Sequence, residues 1–312
     1  MPEFNFTIDD IHPVIRYTAG QWGDSSDADP LKSSYVNSTF HATGTLNASA
    51  TLTFNGSAVY IFGAKRSNHD IYAVALDGEV TKANGFSADP LFNQPLFSQT
   101  GLDHSKPHTI VLSNQYTTTS PSWVDVDYMV VTASDGNSKT LSNDTTLDDG
   151  DASIAYSDGA WDSSPNDFSQ YYYMQTMHRS SIQGAYAVIT FQGNVISVYG
   201  ATAKNHGLYS VSMDGQPSMI FNGTSPEFRA QSLLYWASGL PDGQHNVKIT
   251  NLDSTEQFLD LDKVVHSSWS NTGSDIVSVS ASSFPSPTIL SNTAPANRET
   301  QMPQLAQSSV VS

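Results

Sequence analysis

Apolar residues along this chain come in short alternating bursts, and nearly every burst ends on a turn residue. "ATLTF" (50–54), "AVYIFG" (58–63), "IYAVAL" (71–76) and "HTIVLS" (108–113) set hydrophobic side chains at every second position or in runs of a few. Period two belongs to strands, whose side chains alternate between faces, and no 3.6-residue period persists beyond about two helical turns. "ATLTFNGSAVYIFG" and "AVITFQGNVISVYG" each predict two strands joined as a hairpin, at Asn55-Gly56 and at Gln192-Gly193. "IYAVALDG" and "LYSVSMDG" predict a strand ending in an Asp-Gly turn.

The pattern is written twice. "TIDDIHPVIRYTAGQW" lies over "TLDDGDASIAYSDGAW" without a gap, and His41 to Gly78 lies over His178 to Gly215 in the same way. "HTIVLSN" answers "HNVKITN", and each copy closes on alternating apolar and acidic residues, "WVDVDYMVV" and "FLDLDKVVH". The chain therefore divides into a first unit at 7–134, a linker at 135–145, a second unit at 146–269 and a tail at 270–312. Short strands with turns at this spacing predict an all-β protein of two tandem antiparallel β-sandwiches of the jelly-roll, galactose-binding-like kind. The Ser-, Thr- and Pro-rich tail buries too little apolar area to offset its ordering entropy, which reads as a stalk open to O-glycosylation; its alternative is one extra strand at 275–280.

Charge narrows the partners. With 13 Lys and Arg against 30 Asp and Glu the net charge is −17, which excludes nucleic acid and anionic lipid headgroups as partners. No run approaches the roughly 18 apolar residues of a membrane span, so no direct membrane insertion is expected. The chain has no cysteine, hence no disulfides. Asn-x-Ser/Thr sequons at Asn5, Asn37, Asn47, Asn55, Asn143 and Asn222, on an acidic, Lys-poor chain, predict a secreted glycoprotein.

The order Ile-x-Tyr…Gly-x-Trp, a Thr and a His two residues apart, Phe-x-Gly, Tyr-x-Val-x-x-Asp-Gly and a terminal Leu/Val-Asp, twice over, resembles fungal extracellular proteins of basidiomycete type. These are tandem galactose-binding-like jelly rolls, commonly followed by a Ser/Thr stalk and a membrane span. The resemblance covers about Thr7 to Trp269 and implies a fold, a cell-surface setting and a kinship with carbohydrate-binding modules. This chain ends without the membrane span.

Candidate chemistry follows from aromatic and acidic positions. Tyr171, Tyr172 and Tyr173, with Tyr235 and Trp236, are rings gained by the second copy and suit stacking on a pyranose face. Asn68, His69, Asn205 and His206 form a repeated loop pair, read as sugar hydrogen-bonders or as turn residues of the scaffold. Asp125 with Asp127, and Asp260 with Asp262, share a strand face about 7 Å apart, near the spacing of inverting glycosidases; their alternative is a solvated or edge-protecting face. Asp9, Asp10, Asp148 and Asp149 head the first strands and are candidates for a structural Ca²⁺; no cofactor is otherwise required. Tyr72 and Tyr209 are expected in the cores, and Gly56, Gly63, Gly78, Gly193, Gly200 and Gly215 at turns or close approaches. The expected function is glycan binding or adhesion without catalysis. The alternatives are a glycoside hydrolase or polysaccharide lyase with its cleft between the sandwiches, and a structural coat protein without a ligand.

Overall fold

A computed structural model describes residues 3–25, 29–117, 122–137, 139–142, 144–254 and 256–270. All of these belong to one compact unit, Met1–Ser274. Apart from Ser270, the expected stalk and its alternative strand at 275–280 lie outside the described residues, as does Asn143.

The fold is all-β. In the first half a four-stranded sheet runs in the order Phe4–Asp9, Tyr128–Ala133, Ala58–Lys65, Leu91–Thr100. Facing it, a five-stranded sheet runs Arg16–Tyr17, Ser49–Asn55, Pro107–Asn114, Ile71–Leu76, Glu79–Asn84. The second half repeats both orders. Thr145–Asp148, Lys263–Ser267, Val195–Thr202 and Arg229–Ala237 form one sheet; Ile154–Tyr156, Tyr186–Gln192, Gln244–Asn251, Leu208–Met213 and Met219–Asn222 form the other. Alternation does what it predicts: Ser49–Asn55 buries Ala50, Leu52 and Phe54 and half-exposes the residues between. These meet Ile61 and Met129 of the other sheet in a single cluster, the hallmark of a sandwich core.

Both expected hairpins at Asn55-Gly56 and Gln192-Gly193 are replaced by corners. Ser49–Asn55 and Ala58–Lys65 lie in opposite sheets, and so do Tyr186–Gln192 and Val195–Thr202. Gly56 serves close approach rather than a hairpin turn, since a Cβ there would sit 2.7 Å from the Thr132 carbonyl oxygen. The Asp-Gly turn does make a hairpin in the first copy, with Leu76 opposite Glu79 and positive φ at Asp77 and Gly78. A bulge recurs at one position in each copy: the pairing skips Leu96 between Phe97 and Pro95, and Leu234 between Tyr235 and Leu233. Each freed carbonyl accepts a hydrogen bond from a core tyrosine, Tyr72 to Leu96 O and Tyr209 to Leu234 O, both at 2.8 Å.

The halves are joined through packing. Trp236 stacks on Phe6 at 4.8 Å between ring centroids, and with Leu233 it enters the core cluster of the first sandwich. Arg229 grips Asp24 with two bonds of 2.7 and 2.9 Å, and the Ser238 hydroxyl donates to Asn55 O. The cleft expected between the sandwiches is thus a filled junction, with a gap of about 10 Å³ beside Val14 and Trp236. The segment expected as a linker is also structured in part: Thr140–Leu141 pairs with Trp269–Ser270.

Candidate functional site

The acidic strand ends point inward. Asp125, Asp127, Asp260 and Asp262 are all buried, which removes both the solvated-face reading and a catalytic pair in an open cleft. Asp125 Oδ2 accepts from the Tyr35 hydroxyl at 2.6 Å and lies 2.9 Å from His69 Nε2, while its Oδ1 accepts from the Ala64 amide at 2.7 Å. Asp127 accepts from the Val36 amide, and Asp262 from the Tyr173 amide. Burial pushes the Asp127 carboxyl up to about 8 and that of Asp262 to about 7. Gly63 and Gly200 are small because these strands pass so close: a Cβ on Gly200 would lie 2.1 Å from the Asp260 carbonyl oxygen. The paired carboxylates therefore pin the segment that begins at Tyr35, or Tyr172, onto the sandwich.

The Asp-Asp pairs do the same at the other end of that segment. Thr39 and His41 both bond Asp10, at 2.7 Å each, and Asn37 bonds Asp9. In the second copy Thr176 and His178 bond Asp149, and Thr176 also reaches Asp148. Tyr17 and Tyr156 stack on the two histidines. Asp9, Asp10, Asp148 and Asp149, the calcium candidates, are thus committed to protein donors. Among the described residues no group of three or more His, Asp or Glu is placed to hold a metal ion.

The second copy carries a cavity at this acidic wall. Beside Tyr172, Asp260 and His206 a cavity of about 360 Å³ opens, walled by Phe168, Phe228 and Phe258, with Asn166, Met177, Arg179, Ala203 and Asn205 also lining it. Tyr172 donates to Asp260 Oδ2 at 2.5 Å. His206 Nε2 comes within 3.1 Å of the same oxygen but off the line of a hydrogen bond. His206 Nε2 and Asp260 Oδ1 find no hydrogen-bond partner among the described residues. Burial, then the Asp260 carboxylate, pushes the Tyr172 phenol far above its ordinary range, so it remains a donor to Asp260. Arg179 is held on Asp162 at 2.8 Å, with its guanidinium 6.0 Å from the centre of the Phe258 ring. Phe168 and Tyr171 are half exposed, at 50% and 53%, and both rings pack on Phe228.

Of the expected sugar-binding residues, Tyr172, Asn205 and His206 line this pocket, and Tyr171 stands next to it. The five others are placed elsewhere. Trp236 and Tyr235, each 5% exposed, belong to the junction and the core, because the first sandwich covers the Trp236 ring and Tyr235 faces the core of the second. Tyr173 is half-buried with the Lys263 ammonium 5.3 Å over its ring. In the first-copy pair, His69 is buried against Asp125, and the exposed Asn68 bonds the other ring nitrogen of His69. Tyr72 and Tyr209 are buried in the cores, as expected. Phe168, Phe228, Phe258 and Arg179 escaped sequence reasoning, since none is matched by the same residue in the first copy; the aligned block did carry a signal, Arg66 over Ala203. Of the sequons, Asn5, Asn37, Asn47 and Asn222 are exposed, whereas Asn55 is half-buried against Gly239 at the junction.

No family model matches the chain. Over 254 residues, 80% of its length, it is 26% identical to an A type blood α-D-galactosamine galactosaminidase of Flavonifractor plautii. Over 112 residues, 36% of its length, it is 34% identical to an A type blood N-acetyl-α-D-galactosamine deacetylase of the same organism. The matched parts span 21% and 14% of those proteins. Among solved structures, a family two carbohydrate esterase from Cellvibrio japonicus covers 41% of this chain, at 14% identity and a TM-score of 0.30 over 34% of its own length. The ANXUR2 extracellular domain from Arabidopsis thaliana covers 87%, at 9% identity and a TM-score of 0.27 over 97% of its own length.

Proposed function

We propose that this chain is a glycan-recognising part of a carbohydrate-active protein, and that one sugar residue seats in the pocket of the second sandwich. The observation that carries the reading is the pocket itself: three aromatic walls beside a buried tyrosine, aspartate and histidine, at a volume within the roughly 300–1,000 Å³ range of small-molecule sites. Rings take the C–H face of a pyranose and the polar wall takes its hydroxyls. The relatives named for galactosamine and N-acetylgalactosamine substrates support those amino sugars, and galactose, as the first ligands to try.

Turnover rather than retention is the second reading. It is favoured by the enzyme names of the relatives and by the phenol, carboxylate and imidazole gathered at one wall, groups that serve general acid–base chemistry. One experiment separates the two: purified chain is incubated with galactosamine- and N-acetylgalactosamine-terminated glycans, scoring retention together with released sugar and acetate. Phe168→Ala removes a half-exposed wall, so retention should weaken about fivefold to tenfold, the worth of a stacked ring at roughly 1 kcal/mol, with an unchanged melting temperature. Retention that ignores Phe168→Ala sinks the pocket reading. Release of product that disappears in Asp260→Asn selects turnover.

A further inference from the structure

The first sandwich carries every polar group of the pocket's inner wall: Tyr35, Asp125 and His69 stand where Tyr172, Asp260 and His206 stand. The residues over them differ: Phe168 and Met177 stand where the first copy has Leu31 and Phe40, and Arg66 stands where the second has Ala203. Arg66, aligned with Ala203, reaches across that space and places Nη1 3.4 Å from the Tyr35 hydroxyl and 2.7 Å from Asp29 Oδ2. Asp29, aligned with Asn166, holds the guanidinium there with its second oxygen at 3.3 Å. In the second copy both members of this ion pair are gone together, and the cavity opens between the residues that replace them, Asn166 and Ala203.

We propose that the first sandwich holds a latent copy of the sugar pocket, stoppered by the Arg66–Asp29 ion pair, so that the chain has one open site and one closed by its own side chain. The inference rests on the sugar-pocket reading above. The Tyr35 hydroxyl donates its proton to Asp125 and accepts from Arg66, whereas Tyr172 donates to Asp260 in the same way and keeps its acceptor lone pair for the ligand. A sugar hydroxyl or amine supplies the donor that Arg66 supplies in the first copy. Arg179, the guanidinium in the wall of the open pocket, is held on Asp162.

The test is an exchange of stoppers. Calorimetric titration with galactosamine, N-acetylgalactosamine and galactose is run on the wild-type chain, on Asp29→Asn/Arg66→Ala and on Asn166→Asp/Ala203→Arg, each with its melting curve. The expected result is one site in the wild type, two in the unstoppered variant, and at least a tenfold weaker first site in the restoppered one. If the wild type binds one sugar while both variants, folded, still bind one at the same affinity, the latent site is refuted and the open pocket stands. If the unstoppered variant does not fold, the restoppered one decides by itself: undiminished binding overturns the inference. If the wild type binds none of the three sugars, the pocket reading falls and takes this inference with it.

Discussion

Two buried carboxyls set a pH dependence that few surface groups imitate. Asp127 and Asp262 keep their protons in the folded chain to about pH 8 and about pH 7, because burial penalises the charged form. Unfolded, an aspartate titrates near 3.9, so across the interval from about 4 to 8 the unfolded chain binds fewer protons and stability falls as pH rises. His12 and His41 act the other way, since burial lowers both to about 4 and the unfolded chain then binds more protons up to about 6.5. Below about 6.5 the two effects oppose; above it the carboxyl effect continues, and Asp10, raised by burial, and His245, raised against burial by its bonds to Pro241 O and Asp214, add in the same direction. Melting temperature should therefore decline from pH 6.5 to 8.5, and Asp127→Asn, which keeps the oxygen that accepts from Val36, should flatten that decline. An equal slope in wild type and variant would show that Asp127 is already ionised at pH 6.5. At this scale the sequence pointed to Tyr172, Asn205, His206 and Asp260, because rings gained in one copy and polar residues repeated in both stand out. It did not point to the burial of Tyr172, His206 and Asp260, or to Arg66 as the reason that one copy is closed, since both depend on partners some 30 to 90 positions away.

At the scale of elements, strand positions and the sandwich class were legible, because period-two alternation follows from which face of a strand meets the core. Pairing was not. Alternating runs around a glycine describe a hairpin and a sheet-changing corner equally well, and only Thr132, Val131 and Ser267 crowding Gly56 and Gly193 decide for the corner. The bulge was equally hidden, yet its partner was written in the repeated Tyr-x-Val. Tyr72→Phe and Tyr209→Phe each leave a carbonyl at a bulge without its donor, which should cost about 1–3 kcal/mol for a buried unsatisfied group. Denaturant melts of both variants check this, and a change below about 0.5 kcal/mol would mean the bulge carbonyl finds another donor. Gly200→Ala should be worse, because the clash is with backbone and displaces the strand that carries Asp260.

At the scale of the whole molecule, one of the rings read as a ligand platform, Trp236, holds the two sandwiches together. Trp236 replaces Ser98 of the first copy, so it is indeed an acquisition of the second. Its ring is spent on Phe6 and on the core of the first sandwich, with Leu233 beside it and the Arg229–Asp24 pair at the same junction. Duplication made two bodies that each close their own sheets; the acquired tryptophan made them one unit. The expectation for Trp236→Ala accordingly reverses the one a sugar platform would give. Removing a buried tryptophan costs about 3–5 kcal/mol, so the melting temperature should fall steeply. Sugar retention per folded molecule should stay unchanged, because the pocket lies among Phe168, Phe228 and Phe258 and Trp236 is not in its lining. Calorimetry gives a second readout. With the junction intact the chain should unfold in one transition; without Trp236 the sandwiches should separate into two. A single undisplaced transition in the variant, or retention that falls while melting holds, would put Trp236 back on a binding surface.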